Sequence, residues 1–270
     1  MNLPKSEVDR LTRLYSDAQD AILRQLEAAK AKGTSTAHLE AVRKEIQKVL
    51  AELDAGGKQW TLEAIPKQYV VGVESVKLPK GVAQADFAGV HTQAAQILAD
   101  NTYSTLTAVV NSIGRQTDDQ LRAYALDAIR GPLMGTSTTQ QATSDILTRM
   151  VQGGEGVIRT RPDGSTYLGV QVTPGGKWWD MKSYAEMTAR TTLADTARAG
   201  SMIRMQEVGI ELFIVVGGAG EECDACIAAV EGGPYTQAEL DSLDGVFHPN
   251  CTHDIAADPS ALDDINAESA

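Results

Sequence analysis

Apolar residues recur every three or four positions through Val8, Leu11, Tyr15, Ala18, Ile22, Leu26 and Ala29, the spacing that lines one face of an α-helix. Ser6, followed three residues later by Asp9, is a helix start, and Gly33 is a stop. A second amphipathic stretch opens at Thr34-Ser35-Thr36 and carries Leu39, Val42, Ile46, Val49 and Leu53 on one face. It is expected to end at Gly56-Gly57, so the two stretches predict a helical hairpin joined by a short polar turn. The period is lost over 60–81. There Tyr69-Val70-Val71-Gly72-Val73 predicts a strand, and Pro66 and Pro79 punctuate the stretch. Helical spacing returns over 86–113, over 120–129 before Gly131-Pro132, and over 136–150. These later helices are rich in Ala, Thr and Ser with few large side chains, so they can need neighbours from other subunits, including copies of this chain.

The texture changes at Gly153-Gly154. Residues 157–161, the turn Pro162-Asp163-Gly164-Ser165 and residues 166–172 predict a β-hairpin closed by Pro174-Gly175-Gly176. A long helix is expected over 181–208 with Gly209 as its C-cap, then a buried strand over 211–216. Trp178-Trp179 reads as a buried start to that helix in preference to an exposed anchor. The expected architecture is α+β. A helix-rich region spans 1–152, a smaller mixed module with a Cys/His cluster spans 153–258, and an acidic tail spans 259–270.

Composition narrows the class. The chain has 270 residues, of which 43% are hydrophobic and only 5% aromatic, enough apolar mass for one or two cores. The longest aliphatic and aromatic run is five residues, so no spanning helix is expected, and the N-terminal MNLPKSEVDRL lacks the apolar segment of a secretory leader. The net charge of −12 is uneven: residues 201–270 hold one basic residue, Arg204, against 14 acidic ones. Gripping phosphates takes Lys and Arg, so nucleic acid is not expected to be held by this quarter. A basic protein partner suits it better.

All three cysteines and two of the four histidines lie between residues 223 and 253, as Cys223-Asp-Ala-Cys226 and, after 21 intervening residues, His248-Pro-Asn-Cys251-Thr-His253. Two thiols two residues apart can meet one small ion from one helical turn, and the second segment adds sulfur and imidazole. Cys223, Cys226 and Cys251 with His253 or His248 are the ligands expected for a tetrahedral, structural zinc. Reduced thiols in a small core, one disulfide with a free thiol, or histidines paired with nearby acids are the alternatives.

Enzymatic readings meet obstacles. His38-Leu-Glu40 has the letters of a zinc-deaminase His-x-Glu but lies in the second helix, and His91-Thr-Gln93 lacks the acid. There is no His-Glu-x-x-His. Gly217-Gly218-Ala219-Gly220 lacks the Lys-Ser/Thr of a phosphate loop and runs into Glu221-Glu222. Cys251 with His248 or His253 could be a nucleophile and base, but nothing in the spacing requires it. A zinc-dependent hydrolase or deaminase-like toxin domain of a phage or mobile element is therefore the alternative function, and a cysteine redox protein a third.

Residues 184–255 resemble the C-terminal part of tailed-phage minor capsid proteins, the minor capsid protein 2 family and its Mu F-like head-morphogenesis relatives. The likeness rests on the helix from Tyr184-Ala-Glu-Met187-Thr-Ala-Arg190-Thr191 to Glu207-Val208-Gly209, the apolar strand followed by Cys223-x-x-Cys226, and Gly232 to Tyr235. It ends on Val246-Phe247-His248-Pro249-Asn250-Cys251-Thr252-His253. Thr252 stands where relatives carry Arg. The resemblance implies a non-enzymatic virion component, associated with the portal or inner head and contacting portal and coat proteins. Its implied role is head assembly, DNA packaging or genome delivery. Assembly in the host cytoplasm keeps thiols reduced, favouring metal over disulfide. Arg190 is expected to pair with an acid of the module.

Overall fold

The computed structural model describes residues 3–31, 35–78, 82, 85, 87, 89–130, 157–171, 177–218 and 223–262. The order is α1 (Lys5–Ala31), α2 (Thr36–Ser75), α3 (Val90–Arg130), β1 (Ile158–Thr160), β2 (Thr166–Gln171) and β3 (Trp178–Asp180). Then follow α4 (Met181–Glu207), β4 (Phe213–Gly217), α5 (Asp224–Gly232), α6 (Gln237–Asp241) and β5 (His253–Ala257). The fold is α+β: long helices come first and a small strand-containing module with the Cys/His cluster comes last. The helix expected over 136–150, the boundary at Gly153-Gly154, the Pro174-Gly175-Gly176 turn and most of the acidic tail lie outside the described residues.

The chain forms two compact units from separated segments. One comprises Met1–Asp9, Gln59–Tyr103 and Glu186–Ala270, the other Arg10–Lys58 and Ser104–Ala185. All seven apolar positions of the first stripe, from Val8 to Ala29, are buried. Ser35 accepts the His38 N–H at 3.3 Å and caps α2.

Three expectations about the helices need correction. Helix α2 does not stop at Gly56-Gly57, and residues 69–73 are not a strand: both belong to one 40-residue helix that also runs through Pro66. The glycines there make room instead of ending the helix. A Cβ on Gly56 would stand 2.8 Å from Leu14 Cδ2. Burial of Trp60, Ala64, Ile65, Tyr69 and Val73 continues the helical period, and tertiary packing overrides the β-branched preference of Val70-Val71-Val73. The two helices expected at 86–113 and 120–129 are likewise the single helix α3. Its polar middle is held where Asp118 accepts a two-pronged bond from Arg43 at 2.8 and 3.0 Å and Thr117 returns its hydroxyl to the Ile113 carbonyl at 3.0 Å.

In the same unit the expected hairpin forms. β1 and β2 pair antiparallel with Ile158 opposite Leu168, and β3 adds to β2 with Gln171 opposite Trp178. Trp178 and Trp179 are therefore half-buried strand residues directly before α4, neither fully buried nor free. In the other unit Tyr69, Val73 and Ala95 form one cluster. Met205, Ile210, Phe213, Val215, Ala229, Leu240 and Ile255 form a second, beneath the two-stranded antiparallel sheet of β4 and β5. Strand β4 alternates, with Phe213 and Val215 buried and Ile214 and Val216 half-buried, instead of being buried throughout. Gly209, at φ +84, ends α4 as expected: its N–H reaches the Gln206 carbonyl at 3.0 Å while Ile210 N–H reaches that of Met205 at 3.0 Å, a Schellman arrangement.

Candidate metal centre

Each half of the cluster is built by local backbone rules. Cys223 is the N-cap of α5 and Cys226 lies in its first turn, so the x-x spacing turns both sulfurs to the same end of the helix. The Cys226 N–H facing the Cys223 sulfur is the main influence drawing that thiol's pKa below its ordinary value. The second half is a turn: Cys251 N–H donates to the His248 carbonyl at 2.9 Å. Pro249 occupies its second position, and Asn250, at φ +65, its third, a type II turn written directly in His-Pro-Asn-Cys. His248 and Cys251 therefore stand at the two ends of one tight loop. Strand β5 begins two residues later with His253 opposite Gly217.

Alternating hydrogen bonds hold the halves together. Tyr235 bridges to Phe213 through two 2.8 Å backbone bonds, drawing the chain after α5 onto β4. Arg198 of α4, buried, donates to the His253 carbonyl at 2.9 Å and lies over the Phe247 ring at 4.5 Å. Its other partner is Asp195, whose carboxyl burial raises above its usual range despite that guanidinium. Thr191 accepts the Asn250 N–H at 3.3 Å. Phe247 takes φ +56, a left-handed conformation that a bulky residue adopts only when its surroundings impose it. Arg198 and Thr191 are contributors that sequence reading missed, since a lone Arg or Thr on a helix carries no local signal of what it will support.

All five sequence-predicted side chains come together. Cys223, Cys226 and His248 have ligand atoms within 4.8 Å of one another, as do Cys226, Cys251 and His253, so Cys226 belongs to both groups. The cysteines are free, and Cys226, Cys251 and His253 are buried. Cys226 Sγ and Cys251 Sγ are 3.8 Å apart, and Cys251 Sγ is 3.5 Å from His253 Nδ1. A tetrahedral zinc with Zn–S near 2.3 Å and Zn–N near 2.0–2.1 Å sets those edges at about 3.8 and about 3.5 Å. The donor types suit the ion, and the Cys226–Cys251 and Cys251–His253 separations match two edges of such a site, while Cys223 groups with Cys226 and His248. Without a cation, burial, followed by the neighbouring thiols, pushes Cys226 up to about 12. The Nε2 of His253 is buried with no hydrogen-bond partner among the described residues. His248 instead directs Nδ1 to the Pro249 carbonyl at 3.0 Å. Arg190 pairs with Glu186 one turn earlier on α4 at 2.7 Å.

The other histidines are employed elsewhere. His38 contacts the Ala28 carbonyl at 3.4 Å. His91 is buried between Tyr69, whose hydroxyl is 2.8 Å from Nδ1, and Glu207, 3.0 Å from Nε2.

Residues 4–258 match the phage minor capsid protein 2 family. The chain belongs to that family and is a structural protein of the phage head. No curated protein and no solved structure matches it. Among the described residues no helix is long and apolar enough to cross a membrane.

Proposed function

We propose that this protein is a minor head component associated with the portal vertex or inner head surface, contacting portal and coat proteins during assembly in the host cytoplasm. It acts there in head assembly, DNA packaging or genome delivery. The observation that carries this reading is the family match along nearly the whole chain. The cluster's role is a structural clip. Zinc on Cys223, Cys226, Cys251 and one imidazole joins the start of α5 to the turn before β5. His253 is taken as the fourth ligand because it is buried, with Nδ1 3.5 Å from the Cys251 sulfur. When bound, zinc supplies coordination energy that appears as folding stability. Three thiolates and an imidazole close the coordination sphere and leave no position for substrate or water, so no catalytic step is assigned.

The experiment is co-expression of the chain with the portal protein of its own phage. Co-sedimentation with the portal ring in fewer copies than the coat protein supports the reading. A chain that never enters portal- or prohead-containing fractions overturns it.

A further inference from the structure

We propose that His248 serves the clip as a transfer ligand: with Cys223 and Cys226 it takes the ion from solvent, then gives it up to Cys251 and His253. This role rests on the zinc clip proposed above and supplies the route by which the clip gains and loses its ion. The donors outnumber what the ion holds. Five ligand side chains gather, whereas structural zinc takes four. They stand as two groups of three, Cys223, Cys226 and His248 in one and Cys226, Cys251 and His253 in the other, with only Cys226 in common.

The groups differ in access. Cys226 is fully buried, and Cys251 and His253 are only 8% and 3% exposed, whereas Cys223 and His248 reach solvent. A hydrated ion therefore meets the Cys223–His248 side first. The unit around the cluster carries 7 basic against 22 acidic residues, a field that draws cations toward it. His248 is also built to ligate. A carbonyl can only accept, so the 3.0 Å contact between Nδ1 and the Pro249 oxygen makes Nδ1 the donor. Nε2 then keeps its lone pair for a metal, the pattern in which a backbone carbonyl fixes a ligand's tautomer. His253 sits inside instead, with Nδ1 3.5 Å from the Cys251 sulfur.

The shared sulfur lets the ion change partners without being set free. Cys223 and Cys226 replace water first, each thiol releasing its proton to solvent, and His248 fills a third position. Cys251, losing its own proton, and His253 then displace His248 and the last water. Cys226 stays bound throughout. Departure retraces the same exchanges in reverse, so His248 helps the ion out as well as in.

The test is zinc release from the loaded full chain, under reducing conditions, into excess pyridylazoresorcinol followed by absorbance. Zinc affinity is measured alongside by competition with a chelator of known strength. H248A should release zinc about tenfold more slowly than wild type, with affinity within about twofold, because a transfer ligand lowers the barrier in both directions and leaves the end states alone. Should H248A lose its fold by circular dichroism, H248Q should show the same slowing. H253A should release zinc faster and bind it at least about tenfold more weakly. Faster release with weaker binding in the His248 variant makes that residue a resident ligand, and unchanged release makes it a bystander. Either result overturns the transfer role and leaves the clip standing. A wild-type chain that takes up no zinc overturns the clip, and the transfer role with it.

Discussion

Gly200 of α4 lies so close to Tyr69 of α2 that a β-carbon at position 200 would stand 2.4 Å from the Tyr69 carbonyl oxygen. The same crossing is made from the other side, where a Cβ on Gly72 would be 2.1 Å from the Ala197 oxygen. Ser201 uses the closeness, donating to the Gly72 carbonyl at 2.9 Å. Backbone, not side chain, is in the way, so the helices themselves must separate to admit a methyl group. Gly200→Ala and Gly72→Ala are each expected to destabilise the protein by about 1–3 kcal/mol, read as a fall in the midpoint of urea unfolding. A midpoint within experimental error of wild type would show that the helices are not in contact here.

Next to this crossing, Glu207 sets a pH dependence. Burial alone would raise its carboxyl. Bonds from Arg204, at 2.8 Å, and from His91 outweigh that and hold it below the usual carboxylate range. A depressed folded pKa contributes stability that is present above the unfolded value and disappears as pH falls through the folded one. Acid titration of unfolding stability should therefore show a loss beginning near pH 4–5, the ordinary glutamate range, and continuing below it. Glu207→Gln should be less stable than wild type near neutrality and show a shallower acid loss. Parallel acid curves for the two proteins would remove Glu207 from the account. The adjacent Tyr69 hydroxyl, pushed up to about 12 chiefly by burial and then by Glu207, should stay protonated throughout.

Gly209 ends α4 at φ +84 with nothing near its α-carbon, so a side chain there meets conformational strain and no clash. Gly209→Ala should cost about 1 kcal/mol, less than either crossing glycine. Thermal melts of the three alanine variants should rank them in that order.

Much of this was legible in the sequence where local chemistry and burial agree. The stripe from Val8 to Ala29 predicts α1 and its core face, Gly209 predicts the end of α4, and the Cys/His spacing predicts which side chains gather. The failures share one cause. Gly56-Gly57 in α2 reads locally as a stop, but the reason for Gly56 lies at Leu14, 42 positions away, and Tyr69 to Val73 reads as a strand until α4 packs against it. A glycine needed for close approach and one needed for positive φ look identical in a single sequence. The same limit hid Arg198, whose work is done on the carbonyl of His253, 55 residues later.

The centre itself yields the most direct measurement. Native mass spectrometry of protein purified under reducing conditions, paired with thermal unfolding before and after chelation, should find one zinc per chain. Its removal, or Cys226→Ser, should lower the melting temperature, and His253→Ala should weaken zinc retention more than His248→Ala. A metal-free protein of unchanged stability after chelation and in Cys226→Ser would contradict the clip.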